Sequence, residues 1–406
     1  MKNVDGTEPW RGEKHWVSPF NFAPPADRAE ALRRPGSVQL HDVTLRDGEQ
    51  APGVVFRRDE KVRIARELDA VGLPRIEAGF PVVSTEDMEA VKAIAHLGLG
   101  AKVFGFSRLV REDIDAVLAC DAPGIVCEGP VGVPKLKQFS WPPEQVADRA
   151  VEAISYAKAH GLYTVFFGVD TTRGDWKFLE HVFGRVVREA RPDALAVVDT
   201  FGGSSPEGFA HLVHRFVETF HLPIEVHTHN DFGLGVATSL AGVFAGASVV
   251  HVSVNGLGER TGNAALEEVA LALRFLYGVP LDLKYEKFRE LSLLVRDLSG
   301  FVPAVNKPVV GDRAFTREAG ISIAGWAKYH LGSEAYLPEA VGHSHGVVVG
   351  KKSGRHSLEY KLQELGLTFP PERLDDLLAR VKSAAEAKKS FLTDDEFRRL
   401  VQELRA

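Results

Sequence analysis

The chain has 406 residues, 45% hydrophobic and 26% charged, enough to bury a core in one large domain plus a smaller one, or in two to three ordinary domains. A formal net charge of -6 and the absence of any basic stripe argue against nucleic acid or an anionic membrane as the main partner, since both recognise clustered positive charge. Cys120 and Cys127 are the only cysteines, too few for a disulfide framework or a zinc spacing; they read as small buried hydrophobes in a protein of the reducing cytoplasm. The N-terminal stretch lacks the apolar run of a signal peptide, and no later run is long and apolar enough to span a bilayer, so a soluble, unexported protein is expected.

In chain order, residues 1–36, rich in Pro, Arg and polar residues, read as an N-terminal extension. Eight short β-rich apolar runs then follow: 37–43, 75–80, 101–106, 124–129, 163–169, 194–200, 223–229 and 248–254. Between them lie amphipathic stretches such as 57–72, 143–161 and 205–220, with apolar residues at i, i+3 and i+4. Eight β/α units with near-continuous apolar strands predict a (β/α)8 (TIM) barrel over 37–280. A doubly wound open sheet is the structural alternative, weakened because no glycine-rich dinucleotide fingerprint follows the first strand. After 280 the alternation stops, and 281–406 is expected to form a mostly helical C-terminal subdomain.

The seventh apolar run ends in "EVHTHNDFG" (225–233). Strand side chains alternate faces, so His227 and His229 point the same way, like a pincer, and Thr228 the other way. A pair of strand-end histidines bonded to water or a carbonyl is the plainer reading of this stretch taken alone. In a barrel, however, the chemistry gathers at the C-terminal ends of the strands. There the first strand runs into "HDVTLRDGEQAPG" (41–53) and the eighth into "NGLGERTGN" (255–263). A carboxylate, two imidazoles and an amide oxygen around one mouth would suit a divalent ion such as Zn²⁺, Mn²⁺ or Mg²⁺.

The segments "TLRDGEQAPG", "IEAGFPVVS", "VVDTFG", "HTHNDFGLGVATSLAG" and "NGLGERTGNAALEEV" together resemble the metal-dependent barrel enzymes that include 2-isopropylmalate, homocitrate and citramalate synthases and the hydroxymethylglutaryl-CoA lyases. The resemblance covers 38–280 and continues through 341–362. It implies that Asp47, His227 and His229 hold the metal, with Asn263 near or in its first shell. It also implies that Arg46 contacts the reacting oxyanion, that Arg108 and Thr200 help to hold a 2-oxo acid, and that Gln50 joins them at the substrate. Each residue has a plainer alternative: Asp47 could cap its loop, Asn263 could cap the helix that follows, and Arg108 and Arg173 could be rim salt-bridge residues. His251, inside an apolar strand, reads as a satisfied core histidine.

Two departures from the family pattern stand out. Val169 occupies a position where condensing members are expected to carry glutamate, and Ser322 a position where they carry the histidine that helps to take a proton from the acyl-CoA methyl group. Tyr329, His330, His343 and His345 are candidate replacements, His330 first. The residues after "GKKSG" are too few for the regulatory domain of leucine-controlled isopropylmalate synthases, which favours a homocitrate- or citramalate-synthase-like enzyme. The expected function is thus Claisen-type acyl transfer from an acyl-CoA, acetyl-CoA above all, to a metal-bound 2-oxo acid. A carbon–carbon lyase and a metal- and ligand-binding relative without turnover are the alternatives. The resemblance further implies a homodimer whose C-terminal segment completes the partner's barrel mouth; the proton acceptor is then expected in that segment, His330 first because it follows Ser322 by eight residues.

Overall fold

A computed structural model describes residues 37–328, 330 and 333–405; the expected N-terminal extension and Tyr329 lie outside them. Eight parallel strands close a barrel: β1 (Gln39–Asp42), β2 (Arg75–Gly79), β3 (Lys102–Arg108), β4 (Gly124–Pro130), β5 (Tyr163–Val169), β6 (Ala194–Asp199), β7 (Ile224–Thr228) and β8 (Val249–Val252). Closure comes from β1, which pairs with both β2 and β8. All eight apolar runs are strands, and the doubly wound alternative is overturned by that closure. The strands read as continuously apolar because helices cover the outer face while side chains fill the inside. Phe104, Val126, Val165, Phe167, Ala196 and Val198 form part of that filling.

The helices follow from local chemistry. In α1 (Arg58–Val71), Ile64, Ala65, Leu68 and Val71 are buried, one stripe of the helical period, and Gly72 ends it in the left-handed conformation. After α2 (Thr85–Ala95), α3 (Arg111–Ala119), α4 (Val133–Phe139), α5 (Pro143–Ala159) and α6 (Trp176–Glu189) comes α7 (Pro206–Phe220), which starts at Ser205, whose hydroxyl accepts from Gly208 N, with proline in the first turn. The outer shell is completed by α8 (Gly235–Phe244) and α9 (Leu266–Phe275).

The chain divides into two compact units. One runs to Lys284 and takes in Glu290–Val302; the other comprises Tyr285–Arg289 and Pro303 onward, so α10 (Phe288–Ser299) straddles the division. The second unit contains a two-stranded sheet of β9 (Thr316–Arg317) and β10 (Gly346–Val347), with α11 (Gly320–Trp326), α12 (Arg355–Glu364), α13 (Leu374–Lys388) and α14 (Asp394–Arg405). Its core gathers Val349, Leu358, Leu377, Val381, Phe397 and Val401. Cys120 and Cys127 are both buried and free, and burial pushes the Cys127 thiol up to about 12. Among the described residues no helix is long and apolar enough to cross a membrane.

Candidate active site

The loop after β1 is fixed from inside. The Asp42 carboxylate accepts from Thr44 N (2.9 Å) and Thr44 Oγ1 (3.0 Å), and Thr44 Oγ1 accepts from Val254 N (2.9 Å), so the first and eighth mouth segments are tied together. The tight turn that follows sends Arg46 and Asp47, neighbours in sequence, into the same buried region. Asp47 precedes a short 3-10 turn but its side chain makes no capping bond. It turns instead to the histidines: Oδ2 lies 3.0 Å from His227 Nε2 and 3.5 Å from His229 Nε2, and the two Nε2 atoms are 3.2 Å apart.

Those separations test the site for a metal. Nitrogen and oxygen donors about 2.0–2.2 Å from one ion, at tetrahedral or octahedral angles, stand roughly 3.0–3.5 Å from each other. The three donor atoms have that spacing, and all three residues are buried. Asp47 Oδ1 and Asn263 Oδ1 are buried without a hydrogen-bond partner, spare oxygens of the kind a cation takes up. Burial lowers the His227 imidazole to about 3, keeping it neutral, the form with a free lone pair, although Asp47 opposes the shift. Burial alone would raise the Asp47 carboxyl, but Arg46 and the two histidines outweigh it and hold it well below the usual carboxylate range. The group fits a divalent ion.

Asn263 is paired with His229 by an isolated backbone bridge, and its Nδ2 donates to Leu257 O (3.0 Å), which leaves Oδ1 as the spare atom. It does not cap α9, whose N-cap is Ala265. Gly262 makes this possible: its φ is +84°, and a Cβ there would fall 1.9 Å from Gly256 O.

Arg46 is held by Glu77 of β2 and lies over the Phe106 ring at 4.1 Å; Nη2 is buried and unpartnered. Gln50, exposed, accepts from Arg46 Nη1 at 3.4 Å. Thr200 Oγ1 accepts from Asp170 N (2.8 Å), and Asp170 pairs with Arg173. Arg108 makes a two-toothed bridge to Asp113 with its side chain 59% exposed, the rim arrangement. His330 is stacked on Trp326 with centroids 4.5 Å apart and lies 4.7 Å from the His345 ring, whose Nε2 bonds Glu334 (2.8 Å). Ser322 donates to Ala319 O (2.8 Å), and His343 Nε2 bonds Gly311 O (3.1 Å).

Of a second buried polar layer the sequence pointed only to His251, which is the satisfied core histidine expected. Glu77 also contacts His41 (3.1 Å), while Glu225 is bound by Arg75 (2.7 Å) and His251 (2.8 Å). His41, Glu225 and His251 have metal-like spacing too, but Glu225 is already neutralised by Arg75 and bonded to His251. Charged residues at i, i+2 within apolar strands, Arg75 with Glu77 and Glu225 with His227, were the available signal.

Comparison with known proteins agrees with this geometry. The family description HMGL-like matches residues 37–295, and the homocitrate synthase post-HMGL domain-like description matches residues 309–389. The chain belongs to the HMGL-like family. It is 37% identical to a homocitrate synthase of Methanothermobacter thermautotrophicus, over 97% of this chain and 98% of that one. To a 2-isopropylmalate synthase of Methanocaldococcus jannaschii it is 40% identical, over 92% of this chain and 73% of that one. Among solved structures, a hydroxymethylglutaryl-CoA lyase of Pseudomonas aeruginosa superposes with a TM-score of 0.57 at 19% identity, covering 66% of this chain and 95% of the other, a likeness of fold.

Proposed function

We propose that the chain is an acyltransferase that condenses acetyl-CoA with a 2-oxo acid, forming a 2-hydroxy acid with one more carboxylate and releasing CoA after hydrolysis. The observation that carries this is the convergence of Asp47, His227 and His229, with the spare Arg46 Nη2 beside them, in a chain similar over most of its length to proteins named homocitrate and 2-isopropylmalate synthases. The lyases resemble it at 17–19% identity and in fold alone, which ranks the cleavage reaction second.

Asp47, His227, His229 and Asn263 are the residues to hold a divalent ion, Mg²⁺, Mn²⁺ or Zn²⁺. Such an ion supplies Lewis-acid polarisation of the keto group and an anchor for the adjoining carboxylate. Arg46, oriented by Glu77 and shielded by Phe106, directs its free Nη2 to the keto oxygen as negative charge develops there, a preorganised donor in a water-poor site. Gln50, Arg108 and Thr200 are the residues proposed to position the rest of the acid.

Incubation with acetyl-CoA, a panel of 2-oxo acids and a thiol reagent, read by mass spectrometry, tests the function and names the acid together. Thiol release that disappears with chelator is the expected result; none with any acid overturns the assignment. Elemental analysis identifies the ion. The family resemblance extends to a homodimer, which sedimentation checks; His330→Ala tests whether His330, eight residues after Ser322, assists proton transfer.

A further inference from the structure

Condensation needs a group that takes a proton from a carbon, and the barrel unit carries a carboxyl placed for it. Val126 points into the barrel, so Glu128, two residues on at the C-terminal end of β4, shares its inward face at the mouth. Its carboxyl forms no hydrogen bond or ion pair with any described residue, unlike Asp47, Glu77, Asp113, Asp170 and Glu225, which are all engaged. Glu128 lines a cavity of about 320 Å³ together with Arg108, Lys135, Trp141, Arg149 and Val169. On its other side it interacts with Arg46, the residue that adjoins the metal-type cluster. A thioester entering through the cavity therefore meets Glu128 on the way to the keto acid.

The electrostatics suit a proton acceptor. Burial pushes the carboxyl up from its ordinary value, moderated by Arg46, Lys135 and Arg108, while Glu77 acts in the same direction as burial. A carboxylate whose affinity for protons is raised in this way is a stronger base than a solvated one.

We propose, resting on the condensation reading above, that Glu128 is the base that removes the methyl proton of the acyl-CoA. The carboxylate takes the proton, and the C–H electron pair becomes the C=C of the enolate. That carbon forms the new bond to the keto carbon, whose C=O pair moves onto oxygen. Glu128 returns its proton to the resulting alkoxide, and one water then cleaves the thioester to a carboxylate, CoA thiol and one proton released to solvent. With that water as the only added reactant, protons and electrons balance.

The test uses the full-length metal-loaded protein and its Glu128→Gln and Glu128→Asp variants. Two rates are measured: thiol release with the acid found in the panel, and deuterium entry into the acetyl-CoA methyl group in D2O with a 2-hydroxy acid analogue in the keto acid's place. Glu128→Gln should lower both by about 10²–10⁴-fold, with KM for the acid and metal content little changed. It should also remove the rise of kcat/KM with pH that a carboxyl base imposes. Wild-type rates in this variant overturn the proposal while leaving the condensation reading standing; a wild type that releases thiol with no acid overturns both. If Glu128→Gln does not fold, Glu128→Asp decides: withdrawing the base by one methylene should lower exchange at least about tenfold, and an unchanged rate overturns the assignment.

Discussion

The barrel and the C-terminal unit bury different kinds of side chain. Inside the barrel, Arg46, Asp47, Arg75, Glu77, Glu225, His227 and His251 are each at most 7% exposed, in contact with one another and with Phe104, Phe106 and Phe167. In the C-terminal unit the largest cluster is Val349, Leu358, Leu362, Leu374, Leu377, Val381, Leu392, Phe397, Leu400 and Val401, with no charged member. Many of that unit's ion pairs are exposed, such as Lys351–Glu386 and Arg355–Asp375. The exceptions include Glu334, where Arg317, Trp326 and His345 meet, and buried Lys361, paired with Glu364 and Asp394. Buried charge is costly unless paired, whereas aliphatic packing stabilises without directing any charge. The barrel therefore spends stability on a polar interior that can do chemistry, and the other unit's main core serves cohesion.

The contrast is sharpest at the metal-type cluster. Replacing both His227 and His229 with Ala should lower metal affinity more than about 100-fold and abolish turnover, since even supporting residues around such sites matter 10- to 100-fold. The barrel should stay folded, because β7 is held by its backbone pairing with β6 and β8, which the substitutions leave in place. Full metal stoichiometry in that double variant, by elemental analysis, breaks the assignment.

Arg46→Lys comes next. It keeps the charge but loses the planar fork that grips Glu77 while offering Nη2. Turnover should fall about 10²–10³-fold, the usual effect of removing one such donor, with metal content retained. Equal loss of metal would make Arg46 a structural support.

In the aliphatic core the expected loss is of stability. Leu377, fully buried, should cost about 2–5 kcal/mol when cut to Ala, as truncated core leucines generally do. Denaturant unfolding measures this, and an equal drop in metal affinity of the folded protein would blur the contrast.

The smallest effect is expected at Glu396. Lys388 and the Thr393 N–H hold its carboxyl at about 2, below the ordinary 4.5. A lowered folded value means that the carboxylate's contribution is present above about pH 4.5 and is lost as pH falls through about 2. Glu396→Gln should lower stability modestly at neutral pH, where the carboxylate contributes, and the two proteins should converge as pH falls through about 2; identical acid titrations of the two proteins would show the contact to be idle.

The sequence by itself determined the barrel, because period-two burial inside and period-3.6 burial outside are written residue by residue, and every apolar run between 37 and 254 is a strand. It also determined the pincer of His227 and His229, a consequence of strand alternation alone. Tertiary structure decided what lies 31 and 150 residues away in the chain: that Glu77 grips Arg46 and that Arg75 neutralises Glu225. It also decided that Asp47 turns from capping toward the imidazoles, and that Asn263 keeps a spare oxygen because Gly262 lets the loop fold tightly. Glu128 belongs with these. In sequence it is one acid in an apolar strand, and only barrel closure turns it toward Arg46, since the partner of a buried charge is chosen by which inward faces meet across the closed barrel, a property no local pattern carries.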